Sequence, residues 1–185
     1  MKKAVLVFVI LAIGITTQAQ QLQLQKNSHP KVSKADMKNN PLLQTWDTPY
    51  QTPPFDLIKE EHYIPAFNAA IEMAQKEIDE IANNPQKPDF QNTIVALERS
   101  GLKLKRIESI FFNMLSCNTT PNLQKMAEKL SPILSNFSNS IYHNEKLFKR
   151  IEQIFHSNTS LTIEERKLME NTYKSFVNNG AKLKA

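Results

Sequence analysis

Apolar residues recur at intervals of three and four along most of this chain, the spacing that places them on one face of an α-helix. The first stripe opens near Pro65, where a missing N–H and a fixed φ are harmless at a helix start. Its members are Phe67, Ala70, Ile71, Ala74, Ile78 and Ile81, and Asn83-Asn84-Pro85 ends it. The pattern predicts a long amphipathic helix followed by a short, proline-containing connection.

A second stripe predicts a helix that starts between Asp89 and Thr93 and runs to about Cys117. Gly101 lies within the apolar face of this helix. Glycine in a helix interior lowers helix stability by about 1 kcal/mol relative to alanine. We therefore expect a feature of the tertiary structure to explain the glycine at this position. Close approach of a neighbouring helix is the simpler explanation, and a hinge is the alternative.

The third helix is predicted to start at Thr120-Pro121, a cap followed by proline at the first helical position. Pro132 interrupts it, and since proline removes one backbone hydrogen bond and crowds the preceding turn, we expect a kink around Ser131. The apolar stripe of this helix contains Leu123, Met126, Ala127, Leu130, Ile133, Leu134, Phe137 and Ile141.

Two further helices follow from their capping residues. Asn144 is placed to cap a shorter fourth helix, and Thr162-Ile163-Glu164-Glu165 is a capping box that begins a fifth, which Gly180 ends. With three glycines in 185 residues, the chain has little of the turn chemistry that a sheet needs. We therefore expect an all-α fold: a bundle of about five helices, arranged as antiparallel hairpins, in one domain over residues 53–185.

The first 19 residues read as a secretory signal peptide. Lys2 and Lys3 form a charged start, residues 4–15 form an apolar run, and Thr17-Gln18-Ala19 offers small residues for cleavage. The competing interpretation is a transmembrane anchor, but the run is shorter than the roughly 18 residues needed to span a bilayer. We expect cleavage after Ala19, export to the periplasm or outside the cell, and no stable membrane anchor.

Residues 20–52 are predicted to form an extended or mobile arm. They are rich in Gln, Asn, Lys, Ser and Pro, and such a composition cannot support a core. Trp46 is the exception to this composition. Residues 20 to about 38 are expected to be unstructured.

Composition excludes some classes of function. The formal net charge of +5 is modest, and although Arg99, Lys103 and Arg106 share a helical stripe, Glu98 and Glu108 interrupt it. An exported chain with such a surface is not expected to bind nucleic acid. Cys117 is the only cysteine, so no internal disulfide can form, and we expect a buried or half-buried apolar residue near a helix end rather than a nucleophile.

The sequence contains no recognisable catalytic, cofactor-binding or metal-binding motif. A zincin site needs two histidines one helical turn apart with a glutamate between them, and His29, His62, His143 and His156 offer no such pair. Glu152 and His156 share a helix face but lack two further ligands. We therefore assign no catalytic, cofactor-binding or metal-binding residue and expect no cofactor in this chain.

Several ordered motifs carry a family resemblance. They are Pro53-Pro54-Phe55-Asp56, the segment 60–67, Ile81-Ala82-Asn83-Asn84-Pro85, the segment 90–101, Phe111-Phe112-Asn113, the segment 130–137 and the segment 173–181. Together they resemble the N-terminal region of the M3 family zinc metallopeptidases, and within it the bacterial peptidyl-dipeptidase and oligopeptidase A branch.

The resemblance implies that a segment ending in Pro-Pro-Phe wraps against the helical body, so we expect residues 40–43 and Trp46 to dock there. It also implies a role for the helices. In M3 enzymes the N-terminal helices form part of the wall and roof of a deep channel that admits short peptides, and zinc is held by an H-E-x-x-H helix far downstream. The chain is therefore expected to be an incomplete M3-type domain, a truncation or fragment that lacks the catalytic half and is inactive alone. Its expected partners are short peptides and a catalytic half in trans. The alternative is a non-enzymatic helical module that binds a peptide or a partner chain.

Overall fold

The computed structural model describes residues 39–157 and 160–183, and this part of the chain contains helices and turns but no strand. The predicted signal peptide, the predicted unstructured segment 20–38 and His29 lie outside the described residues. The all-α prediction is confirmed.

Five longer helices and one short one make up the fold within the described residues. They are α1 (Tyr63–Ala82), α2 (Ala96–Arg99), α3 (Leu102–Cys117), α4 (Pro121–Tyr142), α5 (Glu145–Phe155) and α6 (Ile163–Asn178). A π-helical segment, Phe90–Val95, leads directly into α2, and short 3-10 turns occupy Pro41–Leu43, Pro49–Gln51 and Glu60–His62.

Side-chain caps begin the last three helices as predicted. The Thr120 hydroxyl accepts a hydrogen bond from the Leu123 N–H at 3.1 Å, and the Asn144 side chain accepts one from the Leu147 N–H at 3.0 Å. Thr162 and Glu165 form the reciprocal capping box, with distances of 3.0 and 3.2 Å. These caps satisfy N–H groups that have no partner inside the helix.

The prediction of one continuous helix from about residue 89 to Cys117 is wrong, because the helix breaks at Gly101. This residue has a φ of 66°, and the carboxylate of Glu77 in α1 accepts its N–H at 2.7 Å. A Cβ at this position would lie 3.7 Å from the Cβ of Ala74, an ordinary contact. The left-handed backbone, rather than close approach of a neighbouring helix, is therefore the reason for glycine here.

Two clusters of buried side chains form the core, and α1 contributes to both. The first cluster joins the N-terminal part of α1 to α3 and α4, with the Phe111 ring 5.1 Å from Tyr63 and 5.5 Å from Phe67 in edge-to-face contacts. The second joins the C-terminal part of α1 to the π-helical segment, α5 and α6. Its centre is a stack in which Phe148 packs on Tyr173 and Phe176.

Helix α4 is only partly covered by the rest of the fold. Of its apolar stripe, Leu123 and Leu130 are buried, whereas Leu134, Phe137 and Ile141 are half-buried. The helix continues through the exposed Pro132 to Tyr142, and the predicted kink around Ser131 stays a prediction. The C-terminal half of α4 therefore leaves apolar surface within reach of solvent.

Candidate functional site

A crevice of about 430 Å³ lies where the Gly101 break, the C-terminal half of α4 and helix α6 meet beside α1. Ala74 and Gly101 belong to its lining, so the helix break shapes one wall. The apolar side chains that line it include Ile78, Leu97, Leu104, Leu134, Phe137 and Ile141. Ile78 and Leu104 are buried, while the others stay half-buried and present apolar surface to the crevice.

The charged lining residues of this crevice are Glu98, Lys105 and Glu108. Glu98 and Lys105 are exposed, but Glu108 is half-buried. Burial raises the pKa of the Glu108 carboxyl, and nearby Lys105 opposes this effect in part. Within the described residues, the Glu108 carboxylate has no hydrogen-bonding or ion-pairing partner. The crevice therefore combines apolar walls with a partly desolvated negative charge.

The residues just before the helical body are docked on α3, as predicted for residues 40–43 and Trp46. Leu42, Leu43 and Trp46 are buried. The indole N–H of Trp46 donates to the Pro41 carbonyl at 2.7 Å, and the Asn40 side chain accepts the Leu42 N–H at 3.0 Å. This segment is held both by apolar packing and by specific hydrogen bonds.

Two cations of the predicted basic stripe anchor that segment. The Lys103 ammonium donates to the Leu43 carbonyl at 2.8 Å. The Arg106 guanidinium donates to the carbonyls of Leu42 and Gln44 and lies 4.1 Å from the centre of the Trp46 ring. Burial lowers the pKa of both cations. Two of the three residues of the stripe therefore serve packing within the chain.

Arg150 is a buried cation that the sequence reasoning missed. Its guanidinium donates to the Thr93 hydroxyl and the Asn92 side chain in the π-helical segment, and to the carbonyls of Asn84 and Gln86 in the preceding turn. Burial lowers its pKa. The sequence does indicate this burial, because Arg150 interrupts the apolar face of α5 beside Ile151 and so points toward the core.

Glu60 connects the turn before α1 to the start of α4. The Thr120 hydroxyl and the Asn122 side chain each donate to its carboxylate at 2.6 Å. These hydrogen bonds lower the pKa of Glu60 because they favour the ionised form. The acidic pair Glu60-Glu61, which looks like ordinary helix-start chemistry in the sequence, thus contains one residue with a tertiary role.

The described histidines do not fit a zinc site. The His62 ring accepts the Lys59 N–H at 3.0 Å, His143 lies 3.2 Å from the Asn179 carbonyl, and the His156 ring packs edge-on against Phe155. Glu152 pairs with Lys182 at 3.7 Å. In residues 39–157 and 160–183, no group of three or more His, Cys, Asp or Glu side chains is arranged to hold a metal ion.

Cys117 lies at the end of α3, as expected, but the expectation that it is buried or half-buried is wrong. The thiol is exposed and lies 3.2 Å from the Asn113 side-chain oxygen. The apolar face of α3 ends before it, and its neighbours Ser116 and Asn118 are also exposed.

None of the helices in the described part of the chain combines the length and apolar character needed to cross a bilayer.

Comparison with known proteins identifies related sequences, although no family model matches the chain. It is 41% identical over 149 residues to dipeptidyl carboxypeptidase of Salmonella typhimurium, covering 80% of this chain and 22% of that protein. It is 42% identical over 146 residues to the Escherichia coli dipeptidyl carboxypeptidase, covering 78% and 21%. Oligopeptidase A of Escherichia coli is 26% identical over 143 residues, covering 76% and 20%. The chain thus spans about a fifth of the length of these relatives.

Proposed function

We propose that this chain, whose relatives are metallopeptidases of the M3 family, is the helical N-terminal region of an exported peptidase that acts on short peptides. The observation that carries this proposal is the identity of 41–42% with two dipeptidyl carboxypeptidases over about four fifths of the chain. In this proposal the described helices form part of the wall along which a peptide reaches the catalytic groups.

The proposal assigns no bond-making step to the described residues. Their histidines and carboxylates do not form a metal site, so the zinc ligands and the general base of the peptidase belong to a catalytic part that these residues do not supply. The described helices would restrict which peptides enter and would hold them in place. This division of roles explains why the polar clusters at Arg106, Arg150 and Glu60 serve packing within the chain.

A chimera tests the proposal directly. The matched segment of the Escherichia coli dipeptidyl carboxypeptidase is replaced by the corresponding residues of this chain, and release of C-terminal dipeptides is measured with and without a zinc chelator. We expect a folded enzyme with chelator-sensitive activity and a changed preference among short peptides. A deletion of the same segment is the control and should be inactive. A chimera that folds but releases no dipeptides would contradict the proposal.

The isolated chain provides the complementary measurement. We expect the purified 185-residue protein to release no dipeptides, because its described residues hold no metal site. Dipeptide release by this protein alone, abolished by a chelator, would overturn the assignment of catalysis to another part of the enzyme.

A non-enzymatic binding module is the second candidate, and the two well-packed core clusters favour it. Such a module should behave as a soluble monomer, unfold cooperatively and bind no apolar dye. A part that needs a catalytic half should instead expose apolar surface and associate or bind the dye. Analytical ultracentrifugation with dye fluorescence separates the two cases.

Export is part of the proposal and rests on the first 19 residues. Expression with the complete N-terminus in a bacterial host should yield a periplasmic or secreted product beginning at Gln20. Edman sequencing of the purified product checks this expectation, and a cytoplasmic product that keeps Lys2 and Lys3 would contradict it.

A further inference from the structure

We propose that the crevice beside Gly101 binds a peptide segment in which a lysine or arginine lies next to a large aliphatic residue. This inference rests on the proposed function, because it takes the ligand to be a peptide, and it adds a preference for one class of peptide. Three properties of the crevice carry it: its apolar walls, its partly desolvated carboxylate and its polar rim.

The walls of the crevice suit an aliphatic side chain. Leu97, Leu134, Phe137 and Ile141 come from two different helices and remain half-buried around a volume of about 430 Å³. This volume lies within the range of ligand-binding clefts. An aliphatic side chain placed between these residues removes apolar surface from water on both partners, which favours binding.

The negative charge at the crevice selects a cation. Glu108 is half-buried and makes no hydrogen bond or ion pair in the described part of the chain, although Lys105 lies near it. With the exposed Glu98, the lining has two carboxylates and one cation. A carboxylate that has lost part of its hydration without gaining a hydrogen bond is costly. An ammonium or guanidinium group from the ligand would supply a charge-assisted hydrogen bond to it. The lining therefore complements a ligand with a positive charge beside an apolar group.

The polar rim of the crevice favours a peptide over a simple amine. It consists of Asn171, Thr172 and Ser175 of α6, which also belong to the lining. Asn171 and Ser175 are exposed, so their amide and hydroxyl groups are within reach of the N–H and C=O groups of an extended backbone.

The test measures binding by the complete chain and does not depend on catalysis. A fluorescein-labelled peptide with one arginine between two leucines is titrated with the protein, and its fluorescence anisotropy is followed. Matched peptides carry glutamine or glutamate for arginine, or alanine for the leucines. We expect the arginine–leucine peptide to bind roughly tenfold more tightly than each matched peptide, because only it supplies both the charge and the apolar contact.

Protein variants locate the site. Glu108→Gln keeps the shape of the side chain and should remove the preference for arginine over glutamine, whereas Phe137→Ala should weaken binding of both peptides. Glu128→Gln removes an exposed carboxylate of α4 that lies outside the crevice lining and should leave binding unchanged. Circular dichroism verifies that each variant is folded.

Equal binding of the arginine and glutamine peptides to the unchanged protein would overturn the inference, as would an arginine preference that survives Glu108→Gln. Self-association of the chain that Phe137→Ala abolishes would overturn it as well, because a second copy would then occupy the crevice. The activity of the chimera separates this inference from the proposed function. If the chimera is active but the chain shows no preference for the arginine peptide, only the inference is refuted. If the chimera is inactive but the chain keeps its preference for the arginine peptide, only the proposed function is refuted.

Discussion

Arg150 joins α5 to a stretch of chain that is distant from it in sequence. It lies in α5, yet its hydrogen bonds reach the turn after α1 and the π-helical segment. Arg150 is 7% exposed and its partner Thr93 is buried, so removing the guanidinium would leave the Thr93 hydroxyl with little access to water. One side chain therefore supplies much of the specific connection between the second core cluster and the turn that follows α1.

Replacing Arg150 by alanine should lower the free energy of unfolding by about 2–4 kcal/mol, because the buried Thr93 and the half-buried Asn84 and Asn92 lose a hydrogen-bond donor. Arg150→Lys should cost less, since lysine keeps the charge but cannot reproduce the planar fork of donors. Urea denaturation monitored by circular dichroism measures both changes. Lys149→Ala, at an exposed neighbouring position, is the control and should stay within about 0.5 kcal/mol of the unchanged protein. An Arg150→Ala protein as stable as this control would contradict the role assigned to the guanidinium.

Glu60 should make stability depend on pH. Its hydrogen bonds to Thr120 and Asn122 hold the pKa of the folded state below the usual value of 4.5. A carboxyl with a lowered folded-state pKa contributes stability that is fully present above the unfolded pKa and is lost as pH falls through the folded pKa. Glu60→Gln should therefore be less stable than the unchanged protein at pH 7, and the difference should shrink below about pH 4.5. Denaturation at a series of pH values tests this, and a difference that is constant from pH 7 to pH 3 would contradict it.

At the scale of elements, the docking of residues 40–46 depends on α3. Trp46 is the only tryptophan of the chain, so its fluorescence reports on this segment alone. Arg106→Ala should expose Trp46 and increase its quenching by acrylamide, because it removes two hydrogen bonds and the contact with the indole ring. Arg99→Ala, on the same predicted stripe but exposed, should leave quenching unchanged. Equal quenching in both variants would show that apolar packing alone holds the segment.

The break between α2 and α3 should tolerate substitutions in the order of their preference for a positive φ. Gly101→Asn should cost the least, Gly101→Ala about 1–2 kcal/mol, and Gly101→Val more, since β-branched residues disfavour the left-handed region most. Thermal denaturation of the three variants gives the order. If alanine were as stable as glycine, α2 and α3 would have to join into the continuous helix that the sequence pattern suggests.

The limits of sequence prediction are visible in these elements. The starts of α4, α5 and α6 were predictable because their caps use residues three positions apart in the chain. The break at Gly101 was not, because the carboxylate that accepts its N–H comes from Glu77, on another helix. The crevice and the unpartnered Glu108 were also unpredictable, since their walls come from separate helices that only the fold brings together.

For the whole molecule, the sequence motifs were sufficient to recognise the M3 relationship, and the identity with dipeptidyl carboxypeptidases confirms it. Recognition succeeds because the motifs occur in order along the chain and do not depend on knowing the tertiary structure. The site is different, because the described residues bring together apolar walls and a half-buried carboxylate rather than catalytic groups. The family can thus be known from the sequence, while the contribution of this region needs the structure.

The sharing of α1 between two core clusters has a consequence for the order in which the chain folds as it is synthesised. The partners of its N-terminal half are complete once residue 142 has emerged, but those of Ile78, Ile81 and Ala82 extend to Phe176 in α6. Since synthesis proceeds from the N-terminus, the apolar side chains at the end of α1 stay exposed to solvent until α5 and α6 have been made. We expect a chaperone that recognises short apolar segments to bind the nascent chain there, and to release it when α6 arrives.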